Sequence, residues 1–443
     1  MYKLVYVGHF LATAIGVIAI LRLMGNRPFP KWTLLLIAAG LAIFEAASVW
    51  VTFPTNPYFW DFLQCYYPAG EAALHHDTAM LRTLYEKVVQ GFVNMPVVAY
   101  LFAPFALLAP RTASILYTVV GIALTVWAWV LLARLARLER RERWLLALLF
   151  LANGPLINGL KFGNTSHIIL FALVAGLVLL RERRSALAGL LLGAAAVLKP
   201  ALLLFGVFFV LRRDVRGTLG FAAAGIVIGA LSLVLFGWAF NVFWFETSIL
   251  QFSHQWFSTF SVQSIPGFIL RLRADPDILT SWRPLIPAPG EKLAAQILVG
   301  LLYVFASAAC IKALLPRAGD ASRSMGDPGV RRDLQYLLVV CLAVISSPLS
   351  WSHYYVWLLM PAAFFLGSAQ LSSQTQVMRW LPWLAIALVT PLVVWPWSFS
   401  NPALAMLYRS FAASNLLYGG LLWFGLVAWW LARSNESAST ARP

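Results

Sequence analysis

The stretch TASILYTVVGIALTVWAWVLLA, Thr112–Ala133, followed at once by Arg134, Arg137, Arg140, Arg141 and Arg143, decides the fold. It holds no charged residue, and a hydrocarbon layer about 30 Å thick is crossed by roughly 20 residues of helix at about 1.5 Å each. The arginines behind it mark the cytoplasmic end of the span. The rest of the chain repeats this pattern of long apolar runs separated by short basic clusters.

Composition agrees. The 443 residues are 61% hydrophobic and 11% charged, with mean hydropathy +0.78. Soluble domains carry about 25% charged residues, so this chain cannot cover a water-facing surface. The formal charge of +16 lies in clusters between apolar runs. It therefore sets topology rather than building a nucleic-acid groove, in which basic and aromatic residues would interleave. Cys65, Cys310 and Cys341 are far apart and form no framework. The fold expected is an all-α polytopic transmembrane bundle. One domain is expected over residues 1–433, with a disordered cytoplasmic tail over 434–443.

Upstream of the quoted span, Leu4–Leu21 has only Lys3 before it and no small-x-small cleavage site after it, so it reads as a retained span. Arg22, Arg27 and Lys31 place the next loop inside, and the run from Trp32 to Val51 returns the chain outside. The stretch Phe53–Asn94 is net acidic, which suits an outer location. Only an odd number of crossings joins it to the arginine cluster. Pro96–Ala109 is therefore expected to be re-entrant or interfacial. Downstream, two spans flank an outer turn over Asn158–His167. Ala186–Leu198 and Ala201–Leu211 are too short to cross and read as a hairpin dipping partway, with Lys199 at its tip. Leu219–Trp238 leads to an outer loop over about Asn241–Glu291. Leu293–Leu315, a hairpin turning at Ser346–Tyr355, and the spans Trp380–Trp395 and Leu416–Leu431 complete the expected pattern.

Four polar constellations thus fall on the outer side. Ionisable groups close to a bilayer are costly and mark sites. Asp61 stands among aromatics in Tyr58-Phe59-Trp60-Asp61-Phe62, where desolvation would raise its pKa and make it a base for a sugar hydroxyl. The competing reading is a helix cap or an interfacial acid. Lys199 can pair with a lipid phosphate or snorkel at a helix end. His353 can bind phosphate as an imidazolium, hydrogen-bond a sugar, or serve structure alone.

Other signals are weak. Asp275-Pro276-Asp277 imitates a DxD motif but reads as a solvated turn. His75-His76-Asp77 consists of neighbours that diverge on a helix, so no metal site is expected there. No P-loop, GxGxxG, GxSxG or HExxH occurs, and no soluble cofactor is expected.

Taken in order, the motifs resemble glycosyltransferase family 87. They are Asp61-Phe62 with Tyr66-Tyr67, Ala69-Gly70 and Ala72, then Leu84-Tyr85, Pro96 and Phe102-Ala103-Pro104-Phe105. The likeness runs on through Asn158–Asn164, Leu198-Lys199-Pro200, Gln263-Ser264 and Ser347–Tyr354. The family is one of GT-C-type, polyprenol-phosphate-mannose-dependent α-mannosyltransferases. The resemblance implies about a dozen helices around a cavity facing away from the cytoplasm, with the first-loop aspartate, here Asp61, as general base. It implies a polyprenyl-phosphate sugar donor, a glycolipid or glycan acceptor, and contact with membrane lipids. Donor and substrate would be held by Lys199, His353, Tyr67, Asn158, Lys161, Asn164, Gln263 and Tyr354. The family often has Gly-Gln-x-Asn where this chain has Gly163-Asn164-Thr165-Ser166, Tyr-Pro-Pro where it has Asn94-Met95-Pro96, and a second histidine where it has Tyr354.

Function is accordingly expected to be sugar transfer with inversion at the outer face of the inner (plasma) membrane. Two alternatives stand beside it. One is a flippase for lipid-linked sugars, which the lack of an internal repeat disfavours. The other is an O-antigen-ligase-like transferase working through Arg271, Arg273 and His254 in the late outer loop.

Overall fold

The structure, a computed structural model, describes residues 59–87, 91–273, 275, 277–314, 328–367, 376–390 and 399–433. The first two apolar runs and the tail over 434–443 lie outside the described residues. What is described is mostly helical, without a β-strand among the described residues. The only extended pairing among these residues consists of two isolated bridges, Trp256 with Leu285 and Val262 with Trp351.

A π-helical turn, Phe62–Tyr66, opens into α1, Tyr67–Leu74, and then α2, Thr78–Glu86. Asp77 caps α2 by accepting from the Met80 N–H at 2.8 Å, and His76 Nδ1 lies 3.0 Å from Tyr100 Oη. The His75-His76-Asp77 triplet is therefore a connecting turn. Pro96–Leu101 is a six-residue 3₁₀ helix and Ala103–Ala106 a four-residue helix, so neither piece is long enough to cross a bilayer.

α3, Pro110–Leu135, is the span anticipated from the quoted stretch. α4, Arg140–Leu151, and α5, Gly154–Phe162, form one apolar path bent by 49°. The break falls at Asn153-Gly154-Pro155, where Asn153 caps α5 through the Leu156 N–H at 2.9 Å. α6, Ser166–Arg181, and α7, Ser185–Leu198, follow, then a 3₁₀ turn over Pro200–Leu203 and α8, Leu204–Leu211. α7 lies tightly along α9, Val215–Trp244. A Cβ on Gly189 would come within 2.1 Å of the Gly217 carbonyl oxygen, and one on Gly193 within 2.6 Å of that of Phe221. Small residues thus let two apolar helices touch at the backbone, and this contact fixes the Lys199 tip.

The outer loop expected from Asn241 begins later. The helical path entering at Val215 runs on to His254, bent at Gly237, whose φ of +72° a side chain would resist. Asn241 is the reason it continues. Its Nδ2 donates to the carbonyls of Gly237 at 2.8 Å and Ser232 at 3.0 Å, re-satisfying groups that the bend frees. The loop then carries α10, Ile265–Arg271, before α11, Pro289–Leu314. α12, Pro328–Ser346, the turn at residues 347–351, a 3₁₀ segment Ser352–Leu358 and α13, Leu359–Gly367, form the late hairpin. α14, Gln376–Val389, α15, Pro402–Ser410, and α16, Asn415–Arg433, close the described chain.

The paths over 110–135, 215–254, 289–314 and 402–433 are each long and apolar enough to cross a membrane. Large apolar side chains such as Val234, Trp238 and Val304 are exposed along them, as expected where lipid is the solvent. The protein is a multi-pass membrane protein.

Candidate active site

A cavity of about 490 Å³ opens among the π-turn, the α5–α6 junction, the Lys199 tip, the Phe252–Ser261 stretch and the late turn. Its polar lining comes from Asp61, Asn158, Asn164, Lys199, His353 and Tyr354, and its aromatic lining includes Phe257, Trp282 and Trp351.

The polar lining is organised by Asn164. Gly163 ends α5 with φ +66°, and a Cβ there would sit 2.6 Å from the Phe62 Cβ. Glycine therefore allows both the turn and the approach of the Asp61 segment. Immediately after it, Asn164 Oδ1 accepts from the Ser166 N–H at 3.1 Å and hydroxyl at 3.0 Å. A backbone N–H can only donate, so this bond settles which way the amide points. Nδ2 must then face the Asp61 carboxylate, and it donates to Oδ2 at 2.7 Å. Lys199 Nζ donates to the same Oδ1 at 3.3 Å. Base and cation stand one amide apart.

Asp61 is not a helix cap: its carboxylate makes no cap bond to the π-turn that follows. Burial raises its pKa, and the Asn164 amide and Lys199 charge partly offset that rise. Lys199 does not snorkel. It is 6% exposed, holds Nζ 4.7 Å from the Tyr354 ring centre, and is pushed down to about 8 by burial, with Asp61 opposing. Asn94, on the cavity wall, donates from Nδ2 to the Leu198 carbonyl at 2.9 Å and so steadies this tip. His353 is buried with Nε2 unpartnered among the described residues, and burial together with the Lys199 charge holds its pKa well below the usual imidazole value. This environment disfavours an imidazolium and favours a neutral hydrogen-bonding ring.

Several expected site residues lie elsewhere. Asn158 lines the cavity but from within α5 rather than from a turn, because the Asn153 cap and Pro155 start a helix there. Tyr67 donates to the Leu108 carbonyl at 2.8 Å and stays outside the cavity. Lys161 is not on the lining; its ammonium lies 4.5 Å from the Phe162 ring centre. Gln263 is fully buried and binds the protein itself: Nε2 donates to the carbonyls of Phe260 and Ala413, both at 2.7 Å, and Oε1 accepts from the Leu417 N–H at 3.3 Å. It ties the loop to α16. The ligase-like set disperses as well. Arg271 is buried on the carbonyls of Thr259 and Val262 and the Ser414 hydroxyl, Arg273 pairs with Glu291, and His254 is exposed.

Reasoning from sequence missed Ser261, Phe257 and Trp282, which local pattern does not distinguish from other polar or aromatic loop residues. Asn94 was visible only as a departure from Tyr-Pro-Pro.

Residues 92–326, just over half the chain, match the model of glycosyltransferase family 87. The chain belongs to that family. Among its relatives is a polyprenol-phosphate-mannose-dependent alpha-(1-2)-phosphatidylinositol mannoside mannosyltransferase of Mycobacterium tuberculosis. It is 28% identical over 364 residues, covering 76% of each chain. The protein of the same description from Mycolicibacterium smegmatis is 26% identical over 291 residues, covering 60% of each. As a member of family 87 the protein is a membrane glycosyltransferase and a hexosyltransferase. The match includes Asn94, Asn158, Asn164 and Lys199, while Asp61 precedes it and His353 follows it.

Proposed function

We propose that the protein moves mannose from a polyprenyl phosphate to a lipid-borne glycan, with inversion, on the non-cytoplasmic face of the plasma membrane. One observation carries this reading: a half-buried carboxylate, a buried ammonium and an imidazole whose Nε2 has no partner among the described residues, distant in sequence, meet at one cavity. The donor and acceptor named for the two mycobacterial relatives support the substrate classes. The net acidic character of the Asp61 stretch, against the arginine clusters elsewhere, supports the side.

Asp61 Oδ2 is engaged by Asn164, which leaves Oδ1 for the acceptor hydroxyl. As the acceptor oxygen bonds to the anomeric carbon, its proton passes to Asp61 and the bond from that carbon to the phosphate oxygen breaks. The electron pair leaves with the polyprenyl phosphate. Lys199 offsets the charge growing on that phosphate, and His353 Nε2 supplies a neutral hydrogen bond. The one-amide separation between base and ammonium suits a reaction whose incoming and leaving oxygens flank a single carbon. Only protein groups enter; no cofactor or divalent ion is invoked.

General-base assistance supplies roughly 10²–10⁴-fold. Purified Asp61→Asn should therefore lose about that factor in transfer from polyprenyl-phosphate mannose to a phosphatidylinositol mannoside, with its detergent-solubilised melting curve unchanged. Transfer at the native rate would remove the mechanism.

A further inference from the structure

The cavity holds a second set of groups that the transfer step leaves unused. Asn158 Nδ2 donates to Ser352 Oγ at 3.2 Å, and Ser352 Oγ lies 3.2 Å from Ser261 Oγ. Between Ser352 and Ser261 either hydroxyl can donate, since the Ser352 oxygen can accept from Asn158 and Ser261 together. In both arrangements Asn158 Oδ1 and the Ser261 hydroxyl keep hydrogen-bonding capacity, and both residues line the cavity. Backbone pairing fixes the spacing: the Ser352 N–H donates to the Ser261 carbonyl at 2.7 Å, beside the Val262–Trp351 bridge.

Next to this pair stands a flat apolar face. Trp351 stacks on Trp282 with ring centres 5.8 Å apart and planes 16° apart, and Phe257 lies against Trp351 at 5.6 Å. Trp282 is 42% exposed although indole is a costly group to leave in water. An amide and a hydroxyl beside an aromatic plane match a pyranose, whose C–H face stacks while its vicinal hydroxyls accept and donate. A polyprenyl tail would gain nothing from the serines and asparagine.

We infer that Trp351, Trp282, Ser261 and Asn158 form a subsite for a sugar ring of the acceptor. The inference rests on the transferase reading, which assigns Asp61 and Lys199 to the reacting atoms and so leaves the aromatic lining, Ser261 and Asn158 for the acceptor. The acceptor is then a lipid that already carries a glycan, and Ser261 and Trp282 select it.

The test is steady-state kinetics with polyprenyl-phosphate mannose and a phosphatidylinositol mannoside, on the full-length protein in detergent. Ser261→Ala removes one hydrogen bond and Trp282→Ala one stacking face from an exposed position. Each should raise the acceptor KM by a few-fold to roughly tenfold, leaving kcat and the donor KM in place, the signature of lost uniform binding. Trp282→Tyr should restore the acceptor KM, because the flat face suffices. An acceptor KM unmoved in both alanine variants, or a rise confined to the donor KM, would overturn the subsite while leaving the transferase reading standing. Absence of transfer by the unsubstituted protein would instead count against that reading.

Discussion

Two polar clusters, one fully buried and one lining the cavity, do opposite things. At Gln263 and Arg271 the donors and the Gln263 oxygen are turned onto the protein itself: onto carbonyls of Phe260, Ala413, Thr259 and Val262, onto the Leu417 N–H, and onto the Ser414 hydroxyl. At Asp61 and His353 the groups are left incomplete. The carboxylate has one amide partner and the imidazole Nε2 none among the described residues. Burial without hydrogen bonds is unfavourable, so a fold that tolerates it at one cluster and avoids it at the other separates binding capacity from structural glue. Residue type does not separate them, since a buried arginine is as conspicuous in sequence as a buried lysine.

The comparison breaks hardest at Lys199. If its ammonium awaits a phosphate, Lys199→Met should lower kcat/KM for the polyprenyl-phosphate donor by about 10²–10³-fold, the usual loss on deleting a group that stabilises developing charge. Its pKa, about 8, adds a pH test with a definite sign. The charged form exists below that pH, so kcat/KM for the donor should fall as pH rises through about 8, and this limb should vanish in Lys199→Met. A variant with native donor kinetics would place Lys199 with Arg271 as a structural cation.

A smaller effect is expected at Asn164, which is both structural and functional. Its Oδ1 belongs to the Ser166 turn and its Nδ2 to the base. Asn164→Ala removes a bond that lowers the pKa of Asp61, so that pKa should rise further. The acid limb of kcat should move to higher pH, and activity at neutral pH should fall roughly tenfold, the value of one hydrogen bond to a charged group. An unchanged acid limb would mean that the amide merely packs.

Much of this was legible in the sequence, for identifiable reasons. Lys199 stood out because two apolar runs, each too short to span, meet at Lys-Pro, and the structure keeps it between α7 and a 3₁₀ turn. Asp61 stood out because a carboxylate among aromatics near a bilayer is costly. Asn241 was misread as the start of a loop because its capture of the Ser232 and Gly237 carbonyls is a side-chain event that hydropathy does not register. Asn158, Tyr67, Lys161 and Gln263 were grouped with the site because they share its motifs, yet only Asn158 lines the cavity. Proximity along the chain does not fix which way a side chain turns. Ser261 and Trp282 were passed over because their use depends on a bridge to Trp351 and on stacking between distant loops.

The smallest effect on catalysis should come from the other half of the comparison. Arg271→Leu leaves the Val262 carbonyl without its donor, at about 1–3 kcal/mol for a buried acceptor left unpaired, and takes one partner each from the Thr259 carbonyl, which keeps the Val262 N–H, and the Ser414 hydroxyl, which keeps the Arg409 carbonyl. Removing a buried charge offsets part of that loss. The net result should be a lower unfolding temperature in detergent, with kcat per folded molecule nearly unchanged, because no atom of Arg271 lines the cavity. A loss of kcat with full thermal stability would mean that Arg271 reaches substrate after all, and the division between saturated and open clusters would fail at the point where it is drawn most sharply.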